Sequence, residues 1–279
     1  MIEIFDNTSL SYLKLCPRKY YYRMVLDLVP AVSDSYKAEF GIAVHLAWDV
    51  WYRTGSIEGM DKAFTEHWMA FDGQDIAGIR TMTSGLNLLK RYRETYQTEP
   101  FDIIQVEVGG SFEISTKYIY CARFDGLIKW TAPGLDGNMV LENKTSARKG
   151  YLITRPNAQL DGYVWAARQI TKEPVIGSYL NQVYITGKIK LGVEFVREVT
   201  LRTDEEIDEW KRDAIRWMDL CNDFYNEGHW PCNSNSCTAF GRKCEYILLC
   251  TSLDKDQLIR LMFKKLPWSS HPEIRKCML

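Results

Sequence analysis

Apolar residues recur at three- and four-residue spacing over roughly the first hundred positions, then gather into short runs rich in β-branched and aromatic residues. The first pattern predicts helices over 8–28 in two pieces, 34–53, 58–70 and 75–97. Thr8 or Ser9 suits a first N-cap, and Pro17 suits the opening turn of the second piece. Phe40, Val44, Trp48 and Trp51 mark one helix face; Ile79, Met82, Leu86, Leu89 and Tyr92 mark another. The second pattern predicts strands over 103–114, 118–130 and 138–144, punctuated by Gly109-Gly110 and Pro133-Gly134. A helix at 156–171 follows, with Pro156 as its starter. Strands at 178–186 and 193–201 come next. A long helix capped by Thr203 or Asp204 runs to about Gly228, then a cysteine-rich loop, a short helix at 254–265 and a tail.

This order predicts an α/β fold, a mixed central sheet flanked by helices. It reads as a helical N-terminal region (1–100), a core (101–228) and a Cys-rich segment with tail (229–279), within one integrated domain. No stretch approaches the roughly 18 apolar residues of a membrane span, so no membrane partner is expected. The acidic start, Met1-Ile2-Glu3-Ile4-Phe5-Asp6, does not read as a secretory signal. With eight cysteines and no such signal, a reducing, cytoplasmic setting is expected, where clustered thiols favour a metal or cluster site over disulfides. The net charge of −1 excludes a uniformly basic nucleic-acid coat and leaves room only for a local basic channel.

The most informative run is Val140-Leu141-Glu142-Asn143-Lys144-Thr145. Period-two geometry puts Glu142 and Lys144 on one face of a strand. Upstream, Arg123-Phe124-Asp125-Gly126 places an acid inside a second apolar strand. If the two strands pair, Asp125 and Glu142 converge with Lys144 beside them. Converging carboxylates repel unless a cation lies between them, and Mg²⁺ or Mn²⁺ suits hard oxygen donors. Such a cation with a neighbouring lysine suits phosphodiester hydrolysis. Read alone, E-x-K is weak evidence, more often an exposed alternating salt pair on a strand. His45 sits on a predicted helix, with Gly41 four residues earlier allowing close approach. Gln159 and Tyr163, at i and i+4, project from one face of another helix.

In this order the segments resemble the RecB-like branch of the PD-(D/E)xK nuclease superfamily: an early helix histidine, an acid-bearing strand, a D/E-x-K strand and a Q-x-x-x-Y helix. Two departures stand out. Cys121-Ala122-Arg123-Phe124-Asp125 lacks the usual glycine ahead of the acid, and the second acid is Glu142 rather than Asp. The resemblance implies a restriction-endonuclease-like core. It implies His45, Asp125, Glu142 and the Asn143 carbonyl as holders of Mg²⁺ or Mn²⁺, and Lys144 as the residue that positions or activates water. Gln159 and Tyr163 would support the site and touch DNA.

Four cysteines fall in Cys232-x4-Cys237-x6-Cys244-x5-Cys250, and a fifth stands in Leu15-Cys16-Pro17-Arg18-Lys19-Tyr20. This is similar to the iron–sulfur subset of the family, which includes AddB-type subunits, CRISPR-associated RecB-like exonucleases and stand-alone phage-type relatives. That likeness implies a [4Fe-4S] cluster on Cys16, Cys237, Cys244 and Cys250, stapling the chain ends. Zn²⁺ on Cys232, Cys237, Cys244 and Cys250 is the alternative. Arg18 and Lys19, interleaved with tyrosines, and Ser146, Arg148 and Lys149, directly after the catalytic strand, are candidate DNA contacts. The reading is an exonuclease on single-stranded DNA or duplex ends. A catalytically silent DNA-binding or assembly module is the rival. Helicase, recombination or CRISPR partners, or further copies of the chain, are compatible.

Overall fold

The computed structural model describes residues 3–32, 36–146, 153–186 and 192–268. The chain opens with β1 (Glu3–Asp6), α1 (Asn7–Leu15), α2 (Pro17–Tyr20), a π-helical turn over Tyr21–Val25, and β2 (Leu28–Pro30). Three helices follow: α3 (Tyr36–Thr54), α4 (Ile57–Trp68) and α5 (Met82–Thr95). Next come strands β3 (Phe101–Glu113), β4 (Tyr118–Trp130) and β5 (Asn138–Ser146), helix α6 (Ala158–Ile170), and strands β6 (Val175–Thr186) and β7 (Gly192–Leu201). Helix α7 (Asp204–Glu227) precedes an irregular run with two 3-10 turns. The described chain ends with α8 (Ile247–Thr251), α9 (Lys255–Met262) and β8 (Phe263–Lys265).

Two compact units emerge. The larger comprises Asp34–Val108 and Arg123–Ile207; the smaller comprises Met1–Ser33, Gly109–Ala122 and Asp208–Leu279. In the larger unit, β5 lies between β4, antiparallel to it, and β6, parallel to it, and β7 runs antiparallel to β6. β3 also pairs with β4. The sheet is therefore mixed. β6 is buried at almost every position, as expected of a strand covered on both faces. Phe40, Val44 and Trp48 of α3 pack with Phe64 and Trp68 of α4, Leu88 and Leu89 of α5, and Val183 and Ile185 of β6. Gly85 of α5 lies so close to Phe64 that a Cβ there would meet its ring at 1.9 Å.

In the smaller unit, β1 pairs in parallel with the opening residues of β4, Glu3 opposite Tyr118 and Asp6 opposite Cys121. Phe5 meets Tyr118 edge-on, and the Tyr118 hydroxyl donates to Asp219 of α7 at 2.9 Å. A second small core of Tyr22, Leu28, Tyr246, Leu249 and Phe263 gathers the cysteine-rich segment, with β2 and β8 paired beside it.

Most predicted elements are present, with instructive differences. The first helix is capped by Asp6, whose side chain takes the Ser9 N–H at 2.7 Å while Ser9 Oγ takes the Asp6 N–H at 2.9 Å. This reciprocal arrangement displaces Thr8 and Ser9 from the cap position. The helix predicted from 75 starts only at Met82. Before it, Gly73 and Gly78 take positive φ, and the Asp75 carboxylate collects the N–H groups of Ala77 and Arg80. Asn157, not Pro156, caps α6. The final helix stops at Met262, because Phe263–Lys265 pairs with β2.

Candidate active site

The β4–β5 register runs from Lys129 opposite Asn138 to Gly126 opposite Leu141. The next residue on each strand is a carboxylate, Asp125 and Glu142. Here the main-chain ladder gives way to a side-chain bond: the Asn143 N–H donates to Asp125 Oδ2 at 2.5 Å. The other carboxylate oxygen, Oδ1, lies 3.7 Å from His45 Nδ1, an approach longer than a hydrogen bond. His45 is carried there by α3, whose Gly41 faces β5; a Cβ on Gly41 would lie 2.5 Å from Thr145 Oγ1. The glycine therefore permits the close helix–strand approach that puts the imidazole at the carboxylate.

Glu142 is 5% exposed and forms an ion pair with Lys144. Lys144 Nζ also donates to Gln159 Oε1 at 3.0 Å, and Gln159 Nε2 donates to the Tyr163 hydroxyl at 2.8 Å. Asn157 Oδ1 takes the Gln159 and Leu160 N–H groups and fixes the start of α6. Asp161 on the same turn receives Arg202 Nε at 2.5 Å, and Arg202 also holds the Thr154 carbonyl. The turn presenting Gln159 is thus anchored from both sides. Tyr163 packs against Phe124, ring centroids 5.7 Å apart.

The electrostatics follow from burial and neighbours. Burial pushes the Glu142 carboxyl up to about 7, against the pull of Lys144 and with Asp125 adding to the rise. Burial alone would raise Asp125 too, but His45, the Asn143 N–H and Lys144 outweigh it and hold that carboxyl below the ordinary range. Burial alone would lower Lys144; Glu142, then Asp125, keep it above its ordinary value. Two carboxylates facing one ammonium leave a cation deficit. With an imidazole and a backbone carbonyl beside them, the donors are hard oxygen and nitrogen, which fits a divalent cation. Among the described residues, no three His, Cys, Asp or Glu side chains are already gathered as a metal-holding group. Lys144 pairs with Glu142 and would compete with a cation for that carboxylate.

Gly41, read in the sequence as allowing close approach, makes that approach at Thr145. One feature had no separate mark in the sequence: a largely buried set, Tyr92, Glu99, Asn181 and Arg197, on the Asn143 side of the sheet. Its only visible trace is Asn181-Gln182 inside an otherwise apolar strand.

In the smaller unit, Cys16 sits between α1 and α2. Its Sγ receives the Asn233 N–H at 3.3 Å, and Asn233 Nδ2 donates to the Leu15 carbonyl at 2.9 Å. The Cys244 N–H donates to the Cys237 carbonyl at 2.7 Å. Cys244 and Cys250 pack against the Tyr22–Tyr246 core. Desolvation first, then the thiols of Cys16 and Cys250, push the Cys232 thiol up to about 11 against the pull of Arg18. Among the described residues these cysteines are not already gathered as a metal-holding group. Arg18 Nε donates to the Trp230 carbonyl at 3.1 Å, and Lys19 pairs with Glu245 at 3.1 Å. Both cations are thus engaged with the cysteine-rich segment. Ser146 ends β5 opposite Tyr184. Arg148 and Lys149 lie outside the described residues.

The match to known proteins accords with this geometry. The model of the PD-(D/E)XK nuclease superfamily matches residues 7–251, and the chain belongs to that superfamily. No curated protein matches the chain. Among solved structures it is similar to a "Putative exonuclease" from Eubacterium rectale, at 14% identity over 90% of this chain and 94% of that one, with a TM-score of 0.46. It is also similar to a protein designated SSO0001, at 15% identity over 88% and 95% of the two chains, with a TM-score of 0.29. Neither score reaches 0.5, so the assignment rests on the family match. The superfamily makes the chain a nuclease of a kind that generally uses divalent metals. No described helix is long and apolar enough to cross a membrane.

Proposed function

We propose that this chain is a Mg²⁺- or Mn²⁺-dependent deoxyribonuclease acting as an exonuclease on single-stranded DNA or duplex ends. The observation that supports this best is the continuous set of contacts His45–Asp125–Asn143 and Glu142–Lys144–Gln159–Tyr163. His45, Asp125, Glu142 and the Asn143 carbonyl would hold the metal. Bound there, the cation would polarise the scissile phosphoryl group and lower the pKa of water. Lys144 would orient that water, steadied by Gln159, whose amide is fixed by Tyr163. Ser146, Arg148 and Lys149 would meet phosphate beyond the strand. Arg18 and Lys19 would add to a DNA track only through the donors their present partners leave over.

The same reading gives the smaller unit a structural [4Fe-4S] cluster on Cys16, Cys237, Cys244 and Cys250 in a reducing, cytoplasmic setting. Zn²⁺ on Cys232, Cys237, Cys244 and Cys250 is the second form of this reading. Anaerobic purification, an absorption spectrum and metal analysis separate iron from zinc. Digestion of 5′- and 3′-labelled strands with Mn²⁺ tests the enzyme. Rapid release of mononucleotides from one end supports the exonuclease; internal fragments, or binding with no cleavage, overturn it.

A further inference from the structure

Asn143 is the middle residue of the E-x-K motif. Its neighbours Glu142 and Lys144 face α6, where Lys144 meets Gln159. Its own side chain points the other way and enters a buried polar rung that crosses three strands. Asn143 of β5 stands opposite Asn181 of β6, which stands opposite Arg197 of β7. Asn143 is 3% exposed, Asn181 is fully buried, and the Arg197 side chain is 8% exposed.

The direction of every bond on this rung follows from Arg197. A guanidinium only donates. It gives Nη1 and Nη2 to the two oxygens of Glu99 at 2.6 and 2.9 Å, a bidentate pair that fixes its plane. It also lies 3.4 Å from the Tyr96 ring centroid. Its Nε donates to Asn181 Oδ1 at 3.2 Å, and Nη2 donates to the Tyr92 hydroxyl at 2.7 Å. Asn181 must therefore turn its oxygen to Arg197 and its Nδ2 away. That Nδ2 donates to Tyr92 at 2.7 Å and to Asn143 Oδ1 at 2.8 Å. With two donors already directed at it, the Tyr92 hydroxyl shares one further hydrogen bond with the Tyr52 hydroxyl, 2.6 Å away. The polarity set by one permanent cation thus runs through an amide to residue 143. That residue's N–H holds Asp125 from the other side.

We propose that Arg197 and Asn181 are positioning residues for the nuclease site. Through the Asn143 side chain they fix the peptide that joins Glu142 to Lys144 and aligns Asp125. This deepens the nuclease reading and rests on it. Neither residue touches substrate; a small displacement of reacting groups is enough to cost about a hundredfold in rate.

The test reads two signals. One is the Asn143 amide proton in the ¹⁵N spectrum of metal-free protein, expected far downfield because of its short bond to a carboxylate. The other is Mn²⁺-dependent cleavage of a labelled strand, resolved into kcat and KM. Asn181→Ala should move the Asn143 amide upfield and lower kcat about tenfold to a hundredfold, the scale of a misplaced reacting group, with KM held within about twofold. Gly85→Ala, which strains the Phe64 contact in the same unit, should lower the melting temperature yet leave the amide and kcat unchanged. If Asn181→Ala does not fold, Arg197→Lys is read the same way, since an ammonium cannot supply the fork. An unmoved Asn143 amide, or a kcat within about twofold of the parent, overturns the positioning role. A parent that cleaves nothing while the amide still moves overturns the nuclease reading, and the catalytic role with it, but leaves the rung's geometry standing.

Discussion

The larger unit and the smaller one organise their reactive side chains by different means. In the larger unit, each candidate catalytic group stands on a regular element, and neighbouring elements hold it by named bonds: Lys144 by Gln159, Asp125 by the Asn143 N–H, Asn143 by Asn181. In the smaller unit, Cys232, Cys237 and Cys244 lie on irregular chain between α7 and α8. Main-chain bonds such as Cys244 to Cys237, and the packing around Tyr246, hold that chain. An irregular run of this length needs something besides its own sequence to give it one conformation. A ligand shared by several thiols would do this, since metal-binding energy in such sites is folding energy. Under the proposed function, the contrast sets chemistry in the unit whose groups are held by regular elements and stapling in the unit whose groups are not.

The comparison is broken most directly at Lys144. Lys144→Ala should reduce metal-dependent cleavage by about 10²–10⁴-fold, the range of a positioned proton-transfer group, while iron content and melting temperature stay near the parent values. Gel assays, metal analysis and calorimetry check this; an active variant sinks the site assignment. The reverse change is Cys16→Ser or Cys250→Ser. Either should abolish the visible chromophore and lower the melting temperature, leaving residual cleavage only in the fraction still folded. A colourless parent would remove the stapling side of the comparison.

Smaller effects sharpen it. Gly85→Ala should cost about 1–3 kcal/mol by overpacking, measured by denaturant melts. The pH dependence of stability should carry the mark of Glu142. Its folded carboxyl titrates near 7, above the ordinary 4.5, so the folded state keeps a proton that the unfolded chain has lost between those values. Stability of the chelated, metal-free protein should therefore fall as pH rises through that window. Glu142→Gln should flatten the slope, as read by melting temperature against pH in a chelating buffer.

The sequence made some of this legible and hid the rest for physical reasons. Glu142 and Lys144 were visible because period two is local. Gln159 and Tyr163 were visible because one helical turn is local. The rung of Asn143, Asn181 and Arg197 depends on the registers of β5 with β6 and β6 with β7, and no short window contains them. β1, β2 and β8 were missed because they are three or four residues long and exist only by pairing with distant partners. The false helical start before Met82 came from a run whose apolar spacing suits a helix, while Asp75 and two glycines favour turns.

In the E-x-K formula the central letter is written as free. Here both ends of that residue are already committed, the amide to one carboxylate and the side chain to a donor set by a distant arginine. A graft of this catalytic strand onto another scaffold would have to bring the two strands beside it, or accept a motif with the right spelling and a loose hinge at its middle.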